Sequence, residues 1–398
     1  MKPDITLVFP RSQFLLDEAV FPPLGIMYLA AYLERCGFPT QCLDMGAGDT
    51  LEQVNSDVVG VSITTPQRFE AYHIASTLSG KYLIAGGPHA THMSLECRQN
   101  GFEYVVCGYG EVELASLLAD ITGKKVEQLP IGIDDIPFPS RDAMDIHRYH
   151  YTIDGKPATP IMTSRGCPFS CGFCGRIGGA FQMQSAERTV AEIEHVHDKY
   201  GFEAFMIYDD IFIASKARLK AISDMLGGKY TFRCFARSNL INDDICDSMA
   251  RLGIVEVGLG VESGSDAVLS KSMKGTTRDQ NTHAVKMLHE HGIRAKAFLI
   301  VGLPGESDDT VCQTIDWIEE AQPYDIDVSI LQPMPGSKIF QDPAAWDISY
   351  TYNGKPGWYK GTPGQYECCV STSALDAESI VIWRDLIEDQ YKKKELLR

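Results

Sequence analysis

Short apolar runs that stop at glycine, serine, threonine or a carboxylate alternate with amphipathic helical stretches, on both sides of a proline-rich segment. This alternation limits the fold more than any other feature. A strand followed by a helix and a second strand of the same sheet returns parallel to the first. Within residues 1–125 the apolar runs are 5–9, 58–63, 82–85 and 104–107. Pro23 opens a helix that Gly37 closes, with Leu24, Met27, Tyr28 and Ala31 on one face. The expected fold class is α/β, beginning with a doubly wound parallel sheet that takes ligands at the carboxyl ends of its strands. Residues 126–158 read as a linker, because Leu129-Pro130, Ile136-Pro137-Phe138-Pro139 and Lys156-Pro157 block regular helix. Over residues 159–340 six further strands, at 160–164, 205–208, 231–235, 255–260, 297–301 and 327–331, fit a partial (β/α)6 barrel active at its carboxyl rim. Helices expected at 190–200 and 279–291 stop at Gly201 and Gly292. A short segment, 341–398, carries Tyr350, Tyr352, Trp358, Tyr359 and Tyr366 in irregular or hairpin structure. Asp376 then caps a last helix bearing Ile380, Trp383, Leu386 and Ile387.

The first barrel strand runs into Arg165-Gly166-Cys167-Pro168-Phe169-Ser170-Cys171-Gly172-Phe173-Cys174, a C-x3-C-x2-C spacing that stops at three cysteines. Four thiolates would close a [4Fe–4S] cube, whereas three leave one iron open for chemistry. Gly166 and Gly172 are expected to let backbone amides approach the sulfurs and tune the potential. Of the twelve cysteines, nine lie outside the motif and offer no second such spacing, so one cluster is expected. The pairs His195/His197 and His289/His291 stand two residues apart on helices and point to different faces, which suits solvated histidines better than a metal site.

Polar and glycine-rich turns follow the strands of the first sheet: Ser62-Ile63-Thr64-Thr65-Pro66, Gly86-Gly87-Pro88-His89-Ala90-Thr91 and Gly108-Tyr109-Gly110-Glu111, preceded by Pro22-Pro23-Leu24-Gly25. Glycine lets a ligand approach the backbone, and the hydroxyls can bind a polar tail. The barrel strands end at Asp209-Asp210, Arg237-Ser238-Asn239, Glu262-Ser263-Gly264 and Gly302-Leu303-Pro304-Gly305-Glu306.

With these motifs the chain resembles the cobalamin-dependent (class B) radical S-adenosylmethionine (SAM) methyltransferases. The resemblance implies a [4Fe–4S] cluster on Cys167, Cys171 and Cys174 whose open iron chelates SAM. It makes Phe173 the adenine contact, places Asp209 and Asp210 near the methionine end of SAM, gives Glu262 to the ribose and Arg237 to the SAM carboxylate. In the first domain it implies cobalamin against Leu24, Gly25, Ser62, Thr64, Thr65, Gly86, Gly87, Pro88, His89, Gly108, Gly110 and Glu111. The D-x-H-x-x-G motif that offers histidine to cobalt is missing; Asp145-Ile146-His147 begins like it, but His150 stands where glycine should. Gln67 and Arg68 are the candidates for the lower face of cobalt. The implied reaction cleaves one SAM to methionine and a 5′-deoxyadenosyl radical that takes hydrogen from an unactivated carbon. A methyl group then reaches that carbon by way of cobalamin, which a second SAM remethylates. In size, architecture and short tail the chain resembles the members that C-methylate a glutamine in methyl-coenzyme M reductase, so a protein segment is an expected substrate. A low-potential donor such as ferredoxin or flavodoxin is expected as partner. Two alternatives are a rearrangement, cyclisation or oxidation without methyl transfer, and a non-catalytic cobalamin and iron–sulfur sensor or carrier.

The net charge of −17 and pI near 5.0 argue against general nucleic-acid binding. With no signal-peptide pattern and no apolar run of roughly 18–20 residues, the chain reads as a cytoplasmic protein, off the membrane, suited to an anaerobe.

Overall fold

The computed structural model describes residues 2–12, 14–126, 132–351 and 365–392. Two compact units emerge, the first Met1–Tyr151 with Arg176–Gln184, the second Thr152–Gly175 with Ser185–Arg398.

The first unit is built on a parallel sheet of β1 (Ile5–Phe9), β2 (Thr40–Asp44), β3 (Val58–Ser62), β4 (Tyr82–Gly86) and β5 (Tyr104–Val105), in the order β2-β1-β3-β4-β5. Helices cover both faces, so β1 and β3 are near-continuous apolar runs, with Ile5, Val8, Val59 and Val61 at most 1% exposed. Strand β2 went unread in the sequence. It is an edge strand whose Thr40 and Gln41 stay half-exposed, so the apolar run that marks a central strand is missing. Helix α1 (Leu24–Arg35) starts after Pro23, as its sequence implies, but its buried residues are Ile26, Met27, Tyr28, Ala30, Tyr32 and Leu33. Leu24 and Ala31 lie at the margin of that face. The strand order reverses between β1 and β3, where a parallel sheet opens a crevice at its carboxyl edge. Residues 132–151, read as linker, pack within this unit: Arg148 pairs with Asp49 at 2.8 Å, and Tyr149 donates to Asp44 at 2.8 Å. Leu129 and Pro130 lie outside the described residues.

The second unit holds the expected six parallel strands and one more. They are β6 (Thr152–Ile153), β7 (Lys156–Ile161), β10 (Ala204–Ile207), β11 (Thr231–Ala236), β12 (Ile254–Glu262), β13 (Arg294–Val301) and β14 (Asp325–Ile330), ordered β14-β13-β12-β11-β10-β7-β6. Short strands β8 (Ser164–Arg165) and β9 (Gln182–Met183) fall on either side of the cysteine run in the chain. Only β6 is antiparallel, and it pairs with just two residues of β7. Strand β7 begins four residues earlier than its sequence suggests; Pro157 and Pro160 are tolerated because one side of it is almost bare. Along β13 burial alternates strictly, with Ala295, Ala297, Leu299 and Val301 against the helices and Arg294, Lys296, Phe298 and Ile300 on the inner face. On that inner face Phe235 and Phe298 meet at 5.8 Å above Gly258, where a Cβ would lie 2.5 Å from the Phe298 ring. Beyond the barrel, Ser349–Tyr350 pairs antiparallel with Val370–Ser371, the expected hairpin. Tyr352, Trp358 and Tyr359 fall outside the described residues. The last helix, Ala377–Tyr391, is capped by Asp376 but buries Arg384 rather than Leu386. Arg384 lies 3.6 Å over the Tyr366 ring and donates to Val328 O at 3.0 Å.

Candidate active site

In the first unit the turns after β1, β3, β4 and β5 gather the candidate ligand residues. Gln67 closes the crevice edge. Its Oε1 accepts from the Thr64 hydroxyl at 2.7 Å, and its Nε2 donates to Pro10 O at 2.7 Å and Ser12 Oγ at 2.9 Å. At 1% exposure this side chain clamps the β1 and β3 turns together. Arg68 is 2% exposed; it donates to Thr65 O at 2.9 Å and stacks 4.1 Å from the Phe69 ring.

Behind these turns runs a chain of hydrogen bonds that the sequence does not announce. Tyr72 donates to Glu96 at 2.9 Å, so its oxygen accepts from His89 Nε2 at 3.0 Å, and His89 Nδ1 then accepts from the Thr65 hydroxyl at 3.1 Å. Burial and the neighbouring Arg68 push the His89 imidazole down to about 4, so it is neutral at physiological pH. Both ring nitrogens are engaged, and His89 is 1% exposed. Thr91 joins β4 to β5 by donating to Gly87 O at 2.9 Å and accepting from Gly108 N at 3.0 Å. Glu111 is buried in the first turn of the helix Glu111–Thr122, behind Gly110. Ser62, Gly86 and Pro88 are half-buried on the same edge.

The glycines differ in what they permit. A Cβ on Gly87, whose φ is +90°, would lie 2.9 Å from Ile63 N; one on Gly110, at φ +88°, would lie 3.3 Å from Val106. Bulk at either position strains the sheet edge before it meets any ligand. Gly25 is exposed, has an ordinary φ and has nothing within 4 Å of its Cβ position. A Gly25→Phe variant is therefore expected to keep its fold and lose most bound cobalamin, read from the absorbance of the purified protein. Full cobalamin occupancy would remove Gly25 from the site.

In the second unit Asp209 organises the cysteine run. Its Oδ1 accepts from Thr163 N at 2.5 Å and Ser164 N at 3.0 Å, and its Oδ2 from the Thr163 hydroxyl at 2.6 Å. At 1% exposure it binds the end of β7 to the end of β10. Burial pushes its carboxyl up, against the pull of these donors. Asp210 and Tyr208, by contrast, are exposed. Gly172 is bare for a different reason than expected. Its amide donates to Ser272 O at 2.9 Å, and a Cβ would lie 2.5 Å from the Trp346 ring. Gly166 has φ +77° and supplies the left-handed turn ahead of Cys167.

Two buried cations flank the run. Arg237, 5% exposed, donates from Nη1 to Cys171 Sγ at 3.3 Å and from Nε to Asn239 at 3.0 Å, and stacks 4.1 Å from the Phe169 ring. Lys274 meets Glu262 at 2.6 Å and lies 6.0 Å from the Phe173 ring. Glu262 has φ +67° at a register shift in β12, so the bulge turns its side chain onto Lys274. Nothing in the local sequence marks Lys274. Cys167 and Cys171 are half-buried and Cys174 exposed, and none of the twelve cysteines is in a disulfide. Among the described residues no three His, Cys, Asp or Glu side chains converge on a single ion. The thiols, the cation on Cys171 and the left-handed turn fit the cluster; Gly25 and Gly108, with nothing within 4 Å of their Cβ positions, fit the approach of cobalamin to the backbone. His197 and His291 are tied to Phe202 O and Met287 O rather than fully solvated.

At the next barrel strand, Glu306 accepts from Gly302 N and from Leu303 N at 3.3 Å, and burial pushes its carboxyl up to about 8. The folded protein therefore holds a proton there that the unfolded chain releases near its ordinary value of 4.5. Its contribution to stability is complete below the unfolded value and is lost as pH rises toward 8, at roughly 1.4 kcal/mol per unit. Glu306→Gln keeps the acceptor and should flatten this dependence, making the variant the more stable protein at pH 9 in urea unfolding. Parallel pH profiles would overturn the assignment.

Residues 161–318 match the Radical SAM superfamily model, and residues 17–118 match the B12 binding domain model. The chain therefore combines a B12 binding domain with a radical SAM domain, and these bring the cofactors cobalamin, a [4Fe–4S] cluster and SAM. An uncharacterized methyltransferase of Pyrococcus horikoshii is 29% identical over 404 residues, covering 90% of this chain and 86% of the relative. The anaerobic magnesium-protoporphyrin IX monomethyl ester cyclase of Rubrivivax gelatinosus is 23% identical, covering 81% and 66%. The fold matches the radical SAM methyltransferase TsrM of Kitasatospora setae, solved with cobalamin and a [4Fe–4S] cluster, at TM-score 0.71 and 19% identity over 90% of this chain and 82% of that one. Among the described residues no helix is long and apolar enough to cross a membrane.

Proposed function

We propose that this enzyme transfers a methyl group to an unactivated carbon. The observation that carries the reading is the engagement of His89: neutral, buried and bonded at both nitrogens, it is not available as an imidazole ligand to cobalt. Cobalamin without an imidazole ligand supplies a nucleophilic metal suited to carrying methyl groups, and the cluster supplies reductive cleavage of SAM. The chain's own part is geometric and electrostatic. Asp209 sets the entry of the cysteine run, Phe173 offers a ring to the adenine, and Asp210 is exposed at the rim where the ammonium of SAM would sit. Glu262 can meet a ribose once shared with Lys274. As acceptor we propose a protein segment, in the finest reading a glutamine of a protein such as methyl-coenzyme M reductase. The half-buried inner face of β13, with Lys296, Phe298 and Ile300, supports a substrate that is brought in from outside. A ferredoxin or flavodoxin in the cytoplasm would deliver the electrons.

The similar cyclase from Rubrivivax keeps a second reading in view, a rearrangement or cyclisation without methyl transfer. The anaerobically reconstituted enzyme, offered candidate acceptors, separates the two. Methyl transfer yields S-adenosylhomocysteine and 5′-deoxyadenosine together, with a product heavier by one methyl group. A cyclisation yields 5′-deoxyadenosine alone, and that result would sink the methyltransferase reading.

A further inference from the structure

Arg237 is a buried guanidinium with no carboxylate within ion-pair reach among the described residues; its charge is met by Cys171 Sγ at 3.3 Å. A cation held this far from water needs an anion, since desolvation without a counter-charge is costly. Lys274, the other buried cation beside the cysteine run, already has its carboxylate in Glu262. Arg237 is also locked. Asn239 holds its Nε at 3.0 Å, Phe169 lies under its plane at 4.1 Å, and a Cβ on Gly275 would sit 3.0 Å from its Nη2. A side chain fixed at three points is aimed at the sulfur and has little freedom to swing to the carboxylate of SAM.

We propose that Arg237 is a positioning residue for the cluster, a fixed positive charge on the Cys171 thiolate that raises the cluster's reduction potential. One-electron reduction adds negative charge to the cluster, and a cation at hydrogen-bond distance stabilises that product over the oxidised state. The electron comes from the external low-potential donor, and no bond or proton changes hands at Arg237. The assignment rests on Cys167, Cys171 and Cys174 holding a [4Fe–4S] cluster.

The test is a potentiometric titration without SAM, using dithionite and electron paramagnetic resonance, on reconstituted full-length protein. Arg237→Gln should shift the midpoint negative by at least tenfold in the reduction equilibrium, about 59 mV for one electron. Arg237→Lys, which keeps the charge but not the fork, should fall between. Asn239→Ala keeps the guanidinium and only loosens it, so it should shift the midpoint the same way by less. An Arg237→Gln midpoint that coincides with that of the wild type, with a weakened SAM dissociation constant instead, would overturn the proposal and return Arg237 to the SAM carboxylate. A wild-type protein that takes up no iron would sink the cluster assignment and this proposal with it, whereas a loaded cluster with an unmoved midpoint would sink this proposal alone.

Discussion

A variant with Cys167, Cys171 and Cys174 all changed to alanine will hold no [4Fe–4S] cluster and will not cleave SAM. The fold should survive, because these thiols are half-buried or exposed and fill no core position. Wild-type protein should carry about four irons per chain after reconstitution, and the variant none above background. Near-normal circular dichroism must accompany the loss. Retention of iron would mean that other residues hold the metal. Eight irons in the wild type would reveal a second cluster among the remaining cysteines, several of which burial keeps protonated: Cys42, Cys246 and Cys368 are each pushed up to about 12.

Asp209→Ala should be the most damaging single change outside the cysteines. It strips the acceptor from Thr163 N, Ser164 N and the Thr163 hydroxyl at once. Each buried donor left unmatched costs about 1–3 kcal/mol. The expected outcome is a clear fall in the unfolding midpoint together with loss of cluster, because the strand end that launches the cysteine run loses its tie to β10. Asp209→Asn is the informative partner. Its carbonyl can accept from both amides, and its NH2 can donate to a Thr163 hydroxyl turned the other way. Near-normal stability and iron content are therefore expected from the amide. If the amide loses SAM binding as completely as alanine does, the negative charge of Asp209 acts on the ligand, and its role as a tether fails.

Much of this protein was legible in its sequence because the signals are local. A strand of a covered parallel sheet must be apolar throughout, and Ile5, Val8, Val59 and Val61 announce one. Glycine after a helix must take the left-handed region, and Gly201 and Gly292 do so at φ +77° and +73°. Three cysteines within eight residues carry their metal chemistry in their spacing alone. Strand β2 escaped because an edge position asks less of its side chains, and the 132–151 segment escaped because its prolines mask how firmly Arg148 and Tyr149 are held.

The sequence by itself thus determined the two βα units, the place of the cysteine run and the turns that could meet ligands. The tertiary structure alone decided which polar residues point outward and which are consumed inside. Asp209 and Asp210 are neighbours in the chain, yet one is buried under three donors and the other is exposed. Gln67, His89 and Glu262 read equally as ligand contacts until Ser12, Tyr72 and Lys274 arrive as partners from 55, 17 and 12 residues away. The physical reason is that a buried polar atom must find its complement wherever the fold brings one, and that complement follows from packing between distant segments, which no local pattern encodes.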